Sequence, residues 1–168
     1  MPVDNCQHNF HHLSKVILPQ HMKILAAMMS SPLKVSLLAT VTQGTFLKSR
    51  GLTRDFPGCY VFLKAGEPFY VGISRTVVKR LYQHSLGRDE NTATLAYAMA
   101  KKSNPHKFTR KAAMKDPAFL RAFDLAKQKI AKMDVAFVPI DNDLELYVFE
   151  AYACMQLDCC DFNSFRTH

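Results

Sequence analysis

Gly58-Cys59-Tyr60-Val61-Phe62-Leu63-Lys64, then Ala65-Gly66-Glu67, then Phe69-Tyr70-Val71-Gly72-Ile73 is the stretch that decides how this chain folds. Two β-branched and aromatic runs flank a glycine-containing turn, which reads as a β-hairpin. Side chains alternate faces along a strand, so register decides where Tyr60 and Tyr70 point. A three-residue loop at 65–67 pairs Phe62 with Tyr70 and puts both tyrosines on one face. A two-residue loop sends them to opposite faces. The sequence favours the first.

Downstream of the hairpin the pattern turns helical. Ser74 reads as an N-cap, with Val77, Val78 and Leu81 as the apolar stripe behind it. Arg80 and His84 stand at i and i+4 on a common face of that helix. Thr92 to Lys102 is helical in composition. Asp116-Pro117 reads as N-cap and N1 of another helix, with Phe119, Phe123, Ala126 and Ile130 on one stripe. Val135 to Ile140 reads as a third strand, and a last helix is expected from Asp143 to about Leu157. Leu144, Tyr147, Val148, Ala151 and Met155 form its expected buried stripe, and Glu145 falls on its expected wet side. Glu150 has Leu146 and Cys154 a turn away on either side, so its carboxylate needs a partner.

Upstream, residues 1–12 read as a frayed polar tail. Cys6, His8, His11 and His12 have ligand chemistry but match no standard metal spacing. Residues 13–29 are helix-compatible around Pro19, a second helical piece is expected at 33–42, and Gly44 and 51–57 read as loop. The organisation expected is an N-terminal helical extension, 1–56, packed on a main domain, 57–168.

The chain has 168 residues, enough for one domain with its own core. Net charge is +8 and unevenly spread. Residues 101–132 hold ten Lys/Arg against two Asp, and 134–168 hold one Arg against seven acids. No acid occurs between Asn5 and Arg54. Such a chain is expected to meet polyanions, because phosphate contacts release condensed counterions. Lys79, Lys107, Arg110, Lys111 and Arg121 are the expected nucleic-acid contacts, and Lys64 is either solvated or a further phosphate contact. No apolar run approaches the ~18 residues of a membrane span. Five cysteines, odd in number and without a CxxC, fit a reducing, cytoplasmic setting.

In order, the chain carries GCY, YVG, Arg80, His84, Glu150 and Asn163. This closely resembles the GIY-YIG nuclease superfamily over roughly residues 57–168. Cys59 and Val71 replace isoleucines of the two motifs, at positions that alternate away from the tyrosines. The tail Phe162-Asn163-Ser164-Phe165-Arg166-Thr167-His168 adds to the likeness, since many members end with an Asn after the Glu-bearing helix.

The resemblance implies an α+β fold, a three-stranded antiparallel sheet flanked by helices. It implies a divalent-metal-dependent endonuclease acting on DNA, more readily than RNA. Tyr60 would be the base or water relay, Tyr70 a positioning hydroxyl, and Arg80 the phosphate ligand. His84 would take or pass a proton, and Glu150 would hold one Mg²⁺ or Mn²⁺. Asn163 would fix Glu150 or backbone, and Gly72 would allow close helix–strand approach. The alternative reading is a non-catalytic nucleic-acid-binding or interaction module of the same fold.

Overall fold

A computed structural model describes residues 2–163 and Phe165. The fold is α+β, built on a four-stranded sheet rather than the three strands expected. The extra strand is β1, Leu33–Lys34, within a stretch whose sequence reads as helix. After it come β2 (Gly58–Lys64), β3 (Glu67–Ser74) and β4 (Asp134–Pro139), in sheet order β1-β4-β2-β3. β2 pairs antiparallel with both β3 and β4. It is therefore central, and Cys59 to Leu63 are almost wholly buried.

The hairpin reaches the expected pairing by an unexpected route. Lys64 faces Glu67 across a two-residue turn at Ala65-Gly66, with φ of 52° and 86°. Both central residues at positive φ make the tight turn that matches strand twist. By parity alone this turn would split the tyrosines. A bulge corrects it: Leu63 faces Pro68 and Phe62 faces Tyr70, leaving Phe69 as the additional residue. Tyr60 and Tyr70 thus return to one face.

The chain divides into two compact units. The first comprises residues 1–33, 54–77 and 134–168. There the N-terminal stretch runs as α1 (Phe10–His12), a π-turn (Leu13–Ile17) and α2 (Leu18–Met29). The π-turn lies just before Pro19, whose missing N–H interrupts the ordinary ladder. α8 (Asp143–Gln156) closes the unit, capped by the Asn142 side chain on the Glu145 N–H at 3.1 Å. Cys59, Val61, Leu63 and Val71 from one sheet face share a core with Leu18 and Leu25 of α2 and Leu146, Phe149 and Ala153 of α8.

Three expectations fail in this unit. The buried stripe of α8 is Leu146, Phe149, Ala153 and Cys154, while Tyr147 and Met155 are 65% and 81% exposed. The helix is apolar nearly all round, so periodicity alone could not pick the face that meets the sheet. Residues 3–12 are also no frayed tail: Cys6 is buried, and Asn9 Oδ1 caps the His12 N–H at 2.9 Å. Glu145 sits beneath this segment instead of in water. Its carboxylate lies 3.7 Å from His8 Nε2, 3.5 Å from His21 Nε2 and 3.8 Å from Cys6 Sγ.

The second unit comprises residues 34–53 and 78–133. It opens on a 3₁₀ turn, Val35–Ala39, and α3 (Gln43–Ser49), so Gly44 is helical, not loop. α4 (Val77–Leu86), α5 (Thr94–Ser103), α6 (Arg110–Ala113) and α7 (Pro117–Ala131) follow. α7 starts as its sequence predicts, with Asp116 Oδ1 accepting from the Phe119 N–H at 2.8 Å. Phe119, Phe123, Ala126 and Ile130 are its buried stripe. α5 packs on α7, where the rings of Tyr97 and Phe119 meet at 5.2 Å.

Candidate active-site residues

In the first unit, Tyr60 and Tyr70 share the sheet face opposite Cys59, Val61 and Leu63, Tyr60 buried and Tyr70 partly so, their ring centroids 6.3 Å apart. Phe62 stands edge-on to Tyr60 at 5.8 Å. Tyr60 faces Gly72 across the strands. A Cβ on Gly72 would lie 2.4 Å from both Cζ and the hydroxyl oxygen of Tyr60. This glycine is therefore the floor on which the Tyr60 phenol rests, and helix–strand approach is not what requires it.

Asn163 grips the outer strand. Its Oδ1 accepts from the Val71 N–H at 3.1 Å, and its Nδ2 donates to the Val71 carbonyl at 2.6 Å. One amide side chain so takes the place of a paired strand at the residue between Tyr70 and Gly72. Holding backbone, one of the two roles expected of it, is the one it performs. Ser164, Arg166, Thr167 and His168 of the tail lie outside the described residues.

Glu150 projects from α8 half-buried. Desolvation pushes its carboxyl above the ordinary range. Among the described residues no hydrogen bond or ion pair engages it. Burial raises the thiols of Cys59 and Cys154, Cys154 to about 12, and the nearby Glu150 carboxylate adds to both shifts. A half-buried acid without a cation or donor is costly when ionised, so its surroundings favour the neutral carboxyl. Among the described residues no group of three or more His, Cys, Asp or Glu side chains could hold a metal ion. A hard cation that keeps most of its waters asks for less, and one carboxylate of this kind fits it.

In the second unit, Arg80 is held by a loop between α4 and α5 that was not among the expected site residues. Its Nη1 donates to Gln83 Oε1 at 3.0 Å and to the Thr92 carbonyl at 3.1 Å, and its Nη2 donates to Thr94 Oγ1. A guanidinium has five N–H donors, so these leave two for another acceptor. Asp89 shapes that loop by accepting from the N–H groups of Asn91 and Thr92, each at 2.9 Å. These bonds hold its carboxyl below the usual range. The run Asp89-Glu90-Asn91-Thr92 carries an Asx-turn signal that could have found it.

His84 is fully buried, and its pKa falls to about 3, first by burial and then by the Arg80 charge. It is a neutral imidazole at any physiological pH. Ser74 does not cap α4: its Oγ accepts from the Thr76 N–H at 3.0 Å, closing the strand end just before the helix. Lys79, Lys107, Lys111 and Arg121 are exposed. Arg110 is exposed too, but its guanidinium lies 4.5 Å from the Tyr97 ring and donates to the Glu90 carbonyl. No helix among the described residues is long and apolar enough to cross a membrane. No protein-family model, curated protein or solved structure matches the chain.

Proposed function

We propose that the chain is a divalent-metal-dependent endonuclease of the GIY-YIG type, hydrolysing phosphodiester bonds in DNA, with residues 57–168 as its nuclease module. The observation that carries this reading is the hairpin, where a bulge restores the register that puts Tyr60 and Tyr70 together. A hairpin built only for packing has no need to keep two hydroxyl-bearing rings on the same face.

Tyr60 orients the attacking water and takes its proton. A free phenol titrates near ~10, so this work needs cationic surroundings that favour the phenolate. Tyr70 holds water or phosphate through its hydroxyl. Arg80 spends its two remaining N–H donors on non-bridging oxygens, the contact a planar guanidinium makes well. His84, buried beside Arg80, stays a neutral imidazole and is a poor proton acceptor at neutral pH, so the proton relay expected of it is not part of this reading. Glu150 is the residue that would hold Mg²⁺ or Mn²⁺, which when bound would supply positive charge to offset the charge that develops in phosphodiester cleavage.

Purified protein incubated with supercoiled plasmid and Mg²⁺, then Mn²⁺, tests this directly. Cutting is expected, abolished by EDTA and by Glu150→Ala, and slowed in Tyr60→Phe. Gel retardation without cutting, unaffected by Glu150→Ala, would establish the non-catalytic binding module instead.

A further inference from the structure

From Asn91 to Lys115 the second unit carries six Lys/Arg and no acid. In the middle of that stretch Phe108 is 67% exposed, between α5 and α6. Its ring lies near-parallel to His106, 16° apart in plane with centroids at 6.0 Å. His106 is itself held in place: it meets Phe119 edge-on at 4.8 Å, and its Nε2 lies 3.2 Å from the Tyr97 hydroxyl. A shallow cavity of about 150 Å³ opens beside these rings, with Asn104, His106, Phe108, Phe119 and the N-capping Asp116 among its lining residues. Lys101, Lys102, Lys107 and Lys111 are all exposed along the same stretch. An exposed aromatic face backed by fixed rings, on a stretch of chain rich in exposed lysines, is complementary to one kind of ligand, a π-face attached to a polyanion.

We infer that Phe108 is a stacking platform for an unpaired nucleobase, with the flanking lysines on the phosphates of the same strand. A base inside a duplex has both faces covered by its neighbours, so only an unpaired one offers a face to the ring. The inference rests on the nucleic-acid part of the function proposed above and not on its cutting chemistry. It names the form of substrate that this unit holds: single strand, or a duplex with frayed or extruded bases.

The chain contains no tryptophan, so Phe108→Trp installs a unique fluorophore at the platform. Full-length protein in EDTA would be titrated with labelled dT and rU strands of about 12 nucleotides and with a blunt duplex of the same length. Stacking on one aromatic corresponds to about 5- to 150-fold in affinity. Phe108→Ala is expected to weaken strand binding by that factor and duplex binding far less, with the salt dependence kept. Phe108→Trp is expected to restore affinity and to be quenched by the strand. Comparing dT with rU shows whether DNA, RNA or both supply the base. Unchanged strand affinity in Phe108→Ala, equal loss on strand and duplex, an unquenched Phe108→Trp, or no binding by the wild type would each overturn the platform. Plasmid cutting with an unaffected Phe108→Ala sinks the platform and leaves the nuclease. A strand that quenches Phe108→Trp without any plasmid cutting does the reverse.

Discussion

Gly72 lies under the Tyr60 phenol, with no room for even a methyl group. Gly72→Ala must therefore push the ring off its seat or pry the two strands apart. Overpacking of this kind costs about 1–3 kcal/mol. The variant is expected to melt at a lower temperature and to cut plasmid more slowly than that loss of folded protein explains. Normal cutting by a destabilised Gly72→Ala would remove Tyr60 from the chemistry. At Glu150 the sign is opposite. Its carboxyl is raised in the folded state, so above about pH 4.5 the fold works against its ionisation. Glu150→Gln is expected to raise the melting temperature at pH 7 in EDTA and to make no difference below pH 4, while abolishing cutting. A variant less stable than wild type at pH 7 would mean that the carboxylate has a partner in the free protein.

At the scale of elements, the hairpin shows how far sequence reading reaches. Strand identity and the pairing of Phe62 with Tyr70 were legible in the alternation of Cys59–Lys64 and Phe69–Ile73. The turn was not, because one residue more in the loop and one bulged residue in the strand give the same parity beyond it. α7 was legible throughout, since Asp116-Pro117 and a four-residue apolar stripe agree. α8 was legible in extent but not in orientation, its apolar residues surrounding the axis. The Glu145 contacts with His8 and His21 join residues more than a hundred positions apart, and no local pattern announces them. Asp89 signals the turn of the Arg80 loop, but that Thr92 and Thr94 reach the arginine is a contact between segments that no local pattern announces. The turn makes its own prediction. Gly66 sits at φ 86°, where an L side chain costs about 1–2 kcal/mol. Gly66→Ala should lower the unfolding free energy by that amount, seen as a lower urea midpoint at an unchanged slope. A midpoint equal to the wild type's would mean the turn relaxes.

For the whole molecule, acid is the informative stress. His84 titrates near 6.5 when unfolded and at about 3 when folded. Between those values the unfolded chain binds the extra proton, so stability falls as the pH drops through this window. The loss is about 1.4 kcal/mol for each unit below 6.5. Glu150 opposes it just above pH 4.5, which makes the two variants a matched pair. Urea midpoints measured from pH 4.5 to 6.5 should fall more gently with acid in His84→Gln than in wild type, and more steeply in Glu150→Gln. Parallel slopes in all three proteins would show that neither group controls acid tolerance.

β3 is the last strand of its sheet, and an outermost strand is an open template on which another chain can add its own. Asn163 occupies that template at Val71, using both the donor and the acceptor that an incoming strand needs. Asn163 thus closes this edge at Val71 as well as bracing the hairpin. A chain shortened to end before residue 162 would offer a bare edge, and its sedimentation should grow heavier with concentration while the full-length protein's stays constant.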